Sequence, residues 1–226
     1  MPQWMFIHGA AANHHTWARQ RRLPWETWMP DLPTLNYVPP RHLIENLADW
    51  CLAQLSAPTI LVGHSMGGAI AQTMALKQPD AVAGLVLVGT GPQLPVNNQL
   101  LDLLSNDPAA ALEKIARWSV SRDADPKLLQ VSIEMAQSVP KERALQEFTA
   151  CQFFDARHQL HRVTCPVSLI RGTEDKMTPL ALSNEFLTIW PNLPVFEIAG
   201  GGHLMMLEQP EKFNEILGAI RTTLGQ

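Results

Sequence analysis

Five short apolar runs, each closed by a glycine, limit what this chain can become. They lie at 4–7 before Gly9, 59–62 before Gly63, 84–88 before Gly89, 167–170 before Gly172 and 195–198 before Gly200. Proline opens three of them, at Pro58, Pro166 and Pro194. Each reads as a strand buried on both faces, where no polar alternation is needed, the habit of parallel sheets. Helical spacing fills the gaps. After Pro210, the residues Phe213, Ile216, Leu217, Ile220 and Leu224 fall on one face of a terminal helix. Leu43, Leu47, Trp50, Cys51 and Leu55 form a similar stripe before the second run. Residues 66–76 are rich in Gly and Ala, which suits a central helix packed closely on a sheet. This alternation predicts an α/β fold with a mostly parallel sheet. A weaker strand signal at 28–32 brings the expected sheet to about six strands.

Residues 92–160 break the rhythm, because no buried-strand run occurs there. Asp107-Pro108 and Asp125-Pro126 each put a capping residue before a first-turn proline, and Pro140 opens a third helix. The expected organisation is one α/β core, 1–91 plus 161–226, interrupted by a helical cap at 92–160. An insertion at the C-terminal edge of a sheet is placed to roof a site there.

Composition removes several function classes. Lys and Arg total 17 against 21 Asp and Glu, a net charge of −4 without long runs, so there is no footprint for nucleic acid or an anionic membrane. No stretch is long or apolar enough to span a bilayer. The first seven residues have neither a basic region nor a cleavage site. Cys51, Cys151 and Cys165 are odd in number and far apart, with no C-x-x-C, and read as buried spectators rather than disulfide or zinc partners. A reducing cytoplasm is the expected setting. No phosphate loop, dinucleotide fingerprint or metal cluster is present, so no cofactor is expected.

The most informative motif is Gly63-His64-Ser65-Met66-Gly67-Gly68. It follows an apolar strand and opens the Gly/Ala-rich helix, the context in which G-x-S-x-G forms a nucleophile elbow. So sharp a turn strains the serine backbone and projects the hydroxyl, and the helix N-terminus aims free N–H groups at the reaction centre. A serine needs a base, and the base needs an acid to fix its tautomer. His203, in Gly200-Gly201-Gly202-His203, follows the last strand and is the candidate base; Asp175, in Gly172-Thr173-Glu174-Asp175, follows the fourth run and is the candidate acid. Glu174 is its rival, with a side chain expected to point elsewhere. His64 is read as a packing neighbour, and His14, His15, His42, His158 and His161 as surface or capping residues. The loop His8-Gly9-Ala10 leaves the first strand. If that strand neighbours the elbow strand, the N–H groups of Ala10 and Met66 form an oxyanion hole. Trp118, Met135 and Phe153 are the candidate lining of an apolar acyl pocket, with internal packing of the insertion as the competing reading. For Met205 and Met206 core packing is expected.

Taken together, the His-Gly loop, the Gly-His-Ser-Met-Gly-Gly elbow, the Gly-Thr-Glu-Asp loop and the Gly-Gly-His loop resemble the α/β-hydrolase superfamily. They occur in its order, Ser65 then Asp175 then His203, and span almost the whole chain. Within it the chain is similar to small serine carboxylesterases with a helical cap, such as the pimeloyl-ester hydrolases. That resemblance implies cleavage of a small-molecule carboxylic ester, or a thioester, through an acyl-enzyme. It also implies a departure. The family's sheet usually starts with an antiparallel hairpin, and only seven residues precede His8 here, which leaves an edge where copies of the chain can associate. Two other classes stay open: a C–C bond hydrolase or lyase using the same three residues, and a small-molecule receptor without turnover.

Overall fold

The computed structural model describes residues 3–225. In chain order its elements begin with β1 (Trp4–Ile7), β2 (Thr27–Trp28), α1 (Pro40–Leu52), β3 (Thr59–His64), α2 (Met66–Lys77) and β4 (Val82–Val88). Four helices follow: α3 (Asn98–Asn106), α4 (Pro108–Ser119), α5 (Pro126–Gln137) and α6 (Lys141–Phe153). The chain then returns to the sheet through β5 (Val167–Gly172), α7 (Leu180–Ile189), β6 (Val195–Ile198), α8 (Met205–Glu208) and α9 (Pro210–Thr223).

The six strands make one sheet in the order β2-β1-β3-β4-β5-β6, and every pairing is parallel. Both faces are covered, which is why the strand sequences do not alternate. Met5, Ile7, Leu61, Leu85, Leu87 and Leu169 pack on one side with α1, α2 and Phe186 of α7. Trp4, Phe6, Ile60, Val62, Val86 and Ile170 pack on the other with Trp17, α8 and α9. Burying each such large side chain stabilises the fold by about 1.5–3 kcal/mol. Because all strands run the same way, the loops after β1, β3, β4, β5 and β6 emerge at one sheet edge. No helix is long and apolar enough to cross a membrane among the described residues.

Two elements differ from the sequence reading. The edge strand β2 covers only Thr27–Trp28, not 28–32, because Pro30 and Pro33 offer no N–H to a ladder. The insertion holds four helices rather than three. Asp107 and Asp125 cap α4 and α5 through their side chains, with prolines in the first turn. The unforeseen α3 is capped by Asn97, whose side chain accepts from Gln99 N, without the proline that marks its neighbours. The insertion has its own apolar cluster, including Leu100, Leu104, Leu112, Ile115, Val139 and Phe148. Its two ends are tied together by an antiparallel bridge between Gln93 and Asp155 and by Ala156 N–H donating to Pro92 O at 2.8 Å.

Candidate active site

Ser65 stands between β3 and α2 with φ 55° and ψ −119°, a left-handed conformation that a residue with a Cβ rarely adopts. Such a conformation costs on the order of 1–3 kcal/mol and persists only where neighbours enforce it. Here Ser65 N–H donates to Val88 O at 3.0 Å, while Ser65 O accepts from Gly68 N at 2.8 Å and from the Thr90 hydroxyl at 2.9 Å. Gly67 lets α2 lie against the end of β1: a Cβ there would collide with the carbonyl oxygens of Ile7 and His8. The elbow and the loop after β1 are therefore held side by side, as the oxyanion reading requires.

His203 and Asp175 come together from the loops after β6 and β5. His203 Nδ1–H donates to Asp175 Oδ2 at 2.8 Å, and both side chains are buried. The carboxylate also accepts from Met177 N, Thr178 N and, at 2.7 Å, the Thr178 hydroxyl. Burial alone would raise the Asp175 pKa, but the His203 charge and the bonds from His203 and Thr178 outweigh it and hold it below the usual value. Gly89, at φ +48°, makes room for the pair; a Cβ there would sit 3.2 Å from Asp175 Oδ2 and 3.3 Å from His203 Nδ1. Glu174 turns away, its carboxylate accepting from Arg122 N at 3.1 Å. His64 packs on the His203 ring at 4.4 Å between centroids, and its Nε2–H donates to the His203 carbonyl at 2.9 Å. Burial first, and the charge of His203 second, keep His64 neutral, with its pKa well below the ordinary value. Thr90 and Thr178 carry no spacing signature, and sequence reasoning missed both.

The loop after β1 is gripped by a buried imidazole. His8 Nδ1–H donates to Gly9 O at 2.9 Å and Nε2 accepts from Leu32 N at 3.1 Å. Only the neutral Nδ1–H tautomer satisfies both partners. Burial accordingly lowers the His8 pKa from 6.5 to about 4. The unfolded chain takes a proton that the fold refuses, so stability is expected to fall as pH drops from about 6.5 to 4, by up to about 3 kcal/mol. His64 acts in the same direction. Urea midpoints measured from pH 7 to pH 4 test this, with a shallower slope expected in His8→Asn; an unchanged slope assigns the acid sensitivity elsewhere.

Ser65 and His203 line one small cavity of about 40 Å³ with Gly9, Ala10, Ala11, Ala12, Ile115, Met135, Phe148, Met177 and Leu204. Ser119 and Ser132 reach it too, but their hydroxyls donate to Ile115 O and Leu128 O within their own helices. Met135 is thus among the lining, as is Ala10. Met66 supplies the first N–H of α2, and neither that N–H nor that of Ala10 has a protein acceptor among the described residues. The expected places of Trp118 and Phe153 need correction. Trp118 is 37% exposed beneath Lys114 Nζ, 4.8 Å from its ring, and Phe153 is 56% exposed beside Arg41. Phe153 falls on the face of α6 opposite Ala144, Phe148 and Cys151, and Trp118 lies at the margin of the buried face of α4. Cys51 and Cys151 are buried free thiols, whereas Cys165 is only partly buried. Burial raises the Cys51 pKa to about 12. No group of three or more His, Cys, Asp or Glu that would hold a metal occurs among the described residues.

The chain is similar to known proteins over most of its length. The chain is 25% identical to a Caulobacter vibrioides protein provisionally named a carbamate hydrolase, over 92% of this chain and 86% of that one. It is 28% identical to a pimeloyl-[acyl-carrier protein] methyl ester esterase of Neisseria meningitidis serogroup B, over 76% of this chain and 74% of that one. Among solved structures, a thermophilic esterase superposes with a TM-score of 0.84 at 26% identity, covering 98% of this chain and 90% of that one. The model of the alpha/beta hydrolase family matches residues 5–216. The chain belongs to the alpha/beta hydrolase family and is a hydrolytic enzyme.

Proposed function

We propose that the chain is a serine hydrolase of short, neutral carboxylic esters. The observation that carries this reading is the shared cavity: Ser65, strained at the N-terminus of α2, faces the same small space as His203, whose far nitrogen is bonded to Asp175. In this mechanism the Ser65 hydroxyl attacks the acyl carbon while His203 Nε2 takes its proton. Asp175 keeps the His203 proton on Nδ1 and stabilises the imidazolium. The N–H groups of Ala10 and Met66 receive the developing oxyanion. The alcohol leaves with the proton from His203, and water then releases the acid by the same steps in reverse roles. The helices between β4 and β5 act as the cap, 92–160, over a core of 1–91 and 161–226.

The size and chemistry of the cavity support the substrate class. At about 40 Å³ it has room for about three waters, at ~10–15 Å³ each. Its lining is mostly Ala, Ile, Met, Phe and Leu, with no Lys, Arg, Asp or Glu to meet a charged acyl group. A reducing compartment such as the cytoplasm suits the three free thiols. Turnover of p-nitrophenyl esters tests the reading. Acetate and propionate are expected to exceed octanoate by at least about tenfold in kcat/KM, one lost increment of ~1.4 kcal/mol. Cleavage of diketones without ester or thioester turnover points instead to C–C bond chemistry, and tight ligand binding without any turnover to a receptor.

A further inference from the structure

We propose that Glu147 on α6 is a positioning residue for the oxyanion loop, with Arg143 as its neutralising partner, so that the cap sets the geometry of the Ala10 donor. The proposal rests on the serine-hydrolase reading above. Glu147 occupies a place where helix periodicity calls for an apolar side chain, beside Ala144, Phe148 and Cys151 on the buried face of α6, and it is 2% exposed. Its Oε2 accepts from Ala11 N at 2.8 Å, and its Oε1 accepts from Arg143 Nε at 2.7 Å. Ala11 is the one non-glycine residue besides Ser65 with positive φ among the described residues, at 49°. An alanine rarely adopts that conformation unaided, and Glu147 supplies a bond that holds it there.

The peptide planes explain why this bond matters. The Ala10 N–H shares a plane with Gly9 C=O, which His8 holds. The Ala11 N–H shares the next plane with Ala10 C=O, which Glu147 holds. With both planes fixed, the Ala10 N–H has one direction left. The Ala11 side chain is also buried in the apolar cluster of the insertion, so loop and cap form one packed unit. A bare carboxylate so close to a developing oxyanion would oppose catalysis, and Arg143 cancels that charge. What remains is the reach of the Glu147 oxygen rather than its charge.

Reach and charge are separable by substitution. Glu147→Gln keeps an oxygen at the length that reaches Ala11 N, with its NH₂ toward Arg143, whose guanidinium must then turn away; Glu147→Asp keeps the charge and falls short of Ala11. For p-nitrophenyl acetate, Glu147→Asp is expected to lose at least about tenfold in kcat with KM within about twofold, less than the 10²–10³ lost with a whole oxyanion donor. Glu147→Gln is expected to restore most of that kcat. An unimpaired Asp variant, a Gln variant as impaired as Asp, or a loss confined to KM overturns the proposal. Ser65→Ala, run alongside, separates the two levels. Turnover surviving in Ser65→Ala removes the serine reading and this proposal with it, whereas an inactive Ser65→Ala beside a fully active Glu147→Asp overturns only the role of Glu147. Should either Glu147 variant not fold, the unaltered protein decides: its Ala11 amide proton is expected downfield and protected, and exchange at the rate of an open loop overturns the proposal.

Discussion

Replacing Ser65 by alanine is expected to lower kcat for p-nitrophenyl acetate by about 10⁴–10⁶-fold, and to abolish labelling by a fluorophosphonate. The size of the effect follows from how little else the change touches. Every bond that holds the elbow uses Ser65 backbone atoms: its N–H to Val88 O, its carbonyl from Gly68, Ala69 and Thr90. Alanine keeps all of them and keeps the strained φ, so stability is expected to move by no more than ~0.5 kcal/mol and KM by only a few-fold. The loss is then chemical. On the proposed mechanism, His203 then has no proton to take and the acyl carbon no covalent partner, although the proposed oxyanion donors and the cavity stay in place. Fluorophosphonate labelling that survives in a folded Ser65→Ala protein would locate the nucleophile elsewhere and end the serine reading.

The candidate residues that the sequence nominates share one property: each sits shortly after a strand signal. Ser65, Asp175 and His203 follow β3, β5 and β6, and a parallel sheet brings the loops after its strands to one edge whatever the chain distance between them. Topology did the long-range work, so local patterns were enough. Glu147 shows where that logic stops. An Arg four residues before a Glu on a helix carries no site signature, and only the packing of α6 against the loop after β1 turns Glu147 inward. Thr178 is similar; it bonds to Asp175 three residues before it, a local contact with no motif attached. Trp118 and Phe153 lie off the cavity for another reason. Large apolar side chains on an insertion suggest a pocket, but which face of each helix meets the cavity depends on how α4, α5 and α6 pack, and composition carries no phase. The two-residue β2 is a further difference: the apolar residues at 28–32 suggest a longer strand, but Pro30 and Pro33 lack the N–H groups a ladder needs.

Asp175→Asn is expected to cost about 10⁴-fold in kcat, through a tautomer rather than a lost contact. The carboxylate receives four bonds: Oδ1 from the N–H groups of Met177 and Thr178, Oδ2 from the Thr178 hydroxyl and His203 Nδ1–H. An asparagine satisfies the two backbone donors with its oxygen and so must turn its NH₂ toward His203. Nδ1 then becomes the acceptor, the ring proton moves to Nε2, and His203 faces Ser65 with a donor where a base is needed. Thr178 sharpens the expectation. Its hydroxyl lies 2.7 Å from Oδ2 and 3.3 Å from His203 Nδ1. With an NH₂ at that position the hydroxyl must reverse and accept, which reinforces the wrong tautomer. The variant also carries a stability signature whose sign is fixed. Asp175 has a folded pKa below the ordinary 3.8, so its contribution is full above that value and is lost as pH falls through the folded one. Asp175→Asn should therefore be less stable than the parent at pH 7, with the gap narrowing below about pH 3.8. Restoring kcat in Asp175→Asn by raising pH toward 10 would fit the tautomer argument, because hydroxide can then replace the base. An Asp175→Asn protein with full activity at pH 7 would remove Asp175 from the mechanism and leave Glu174, already committed to Arg122 N, as an unconvincing substitute.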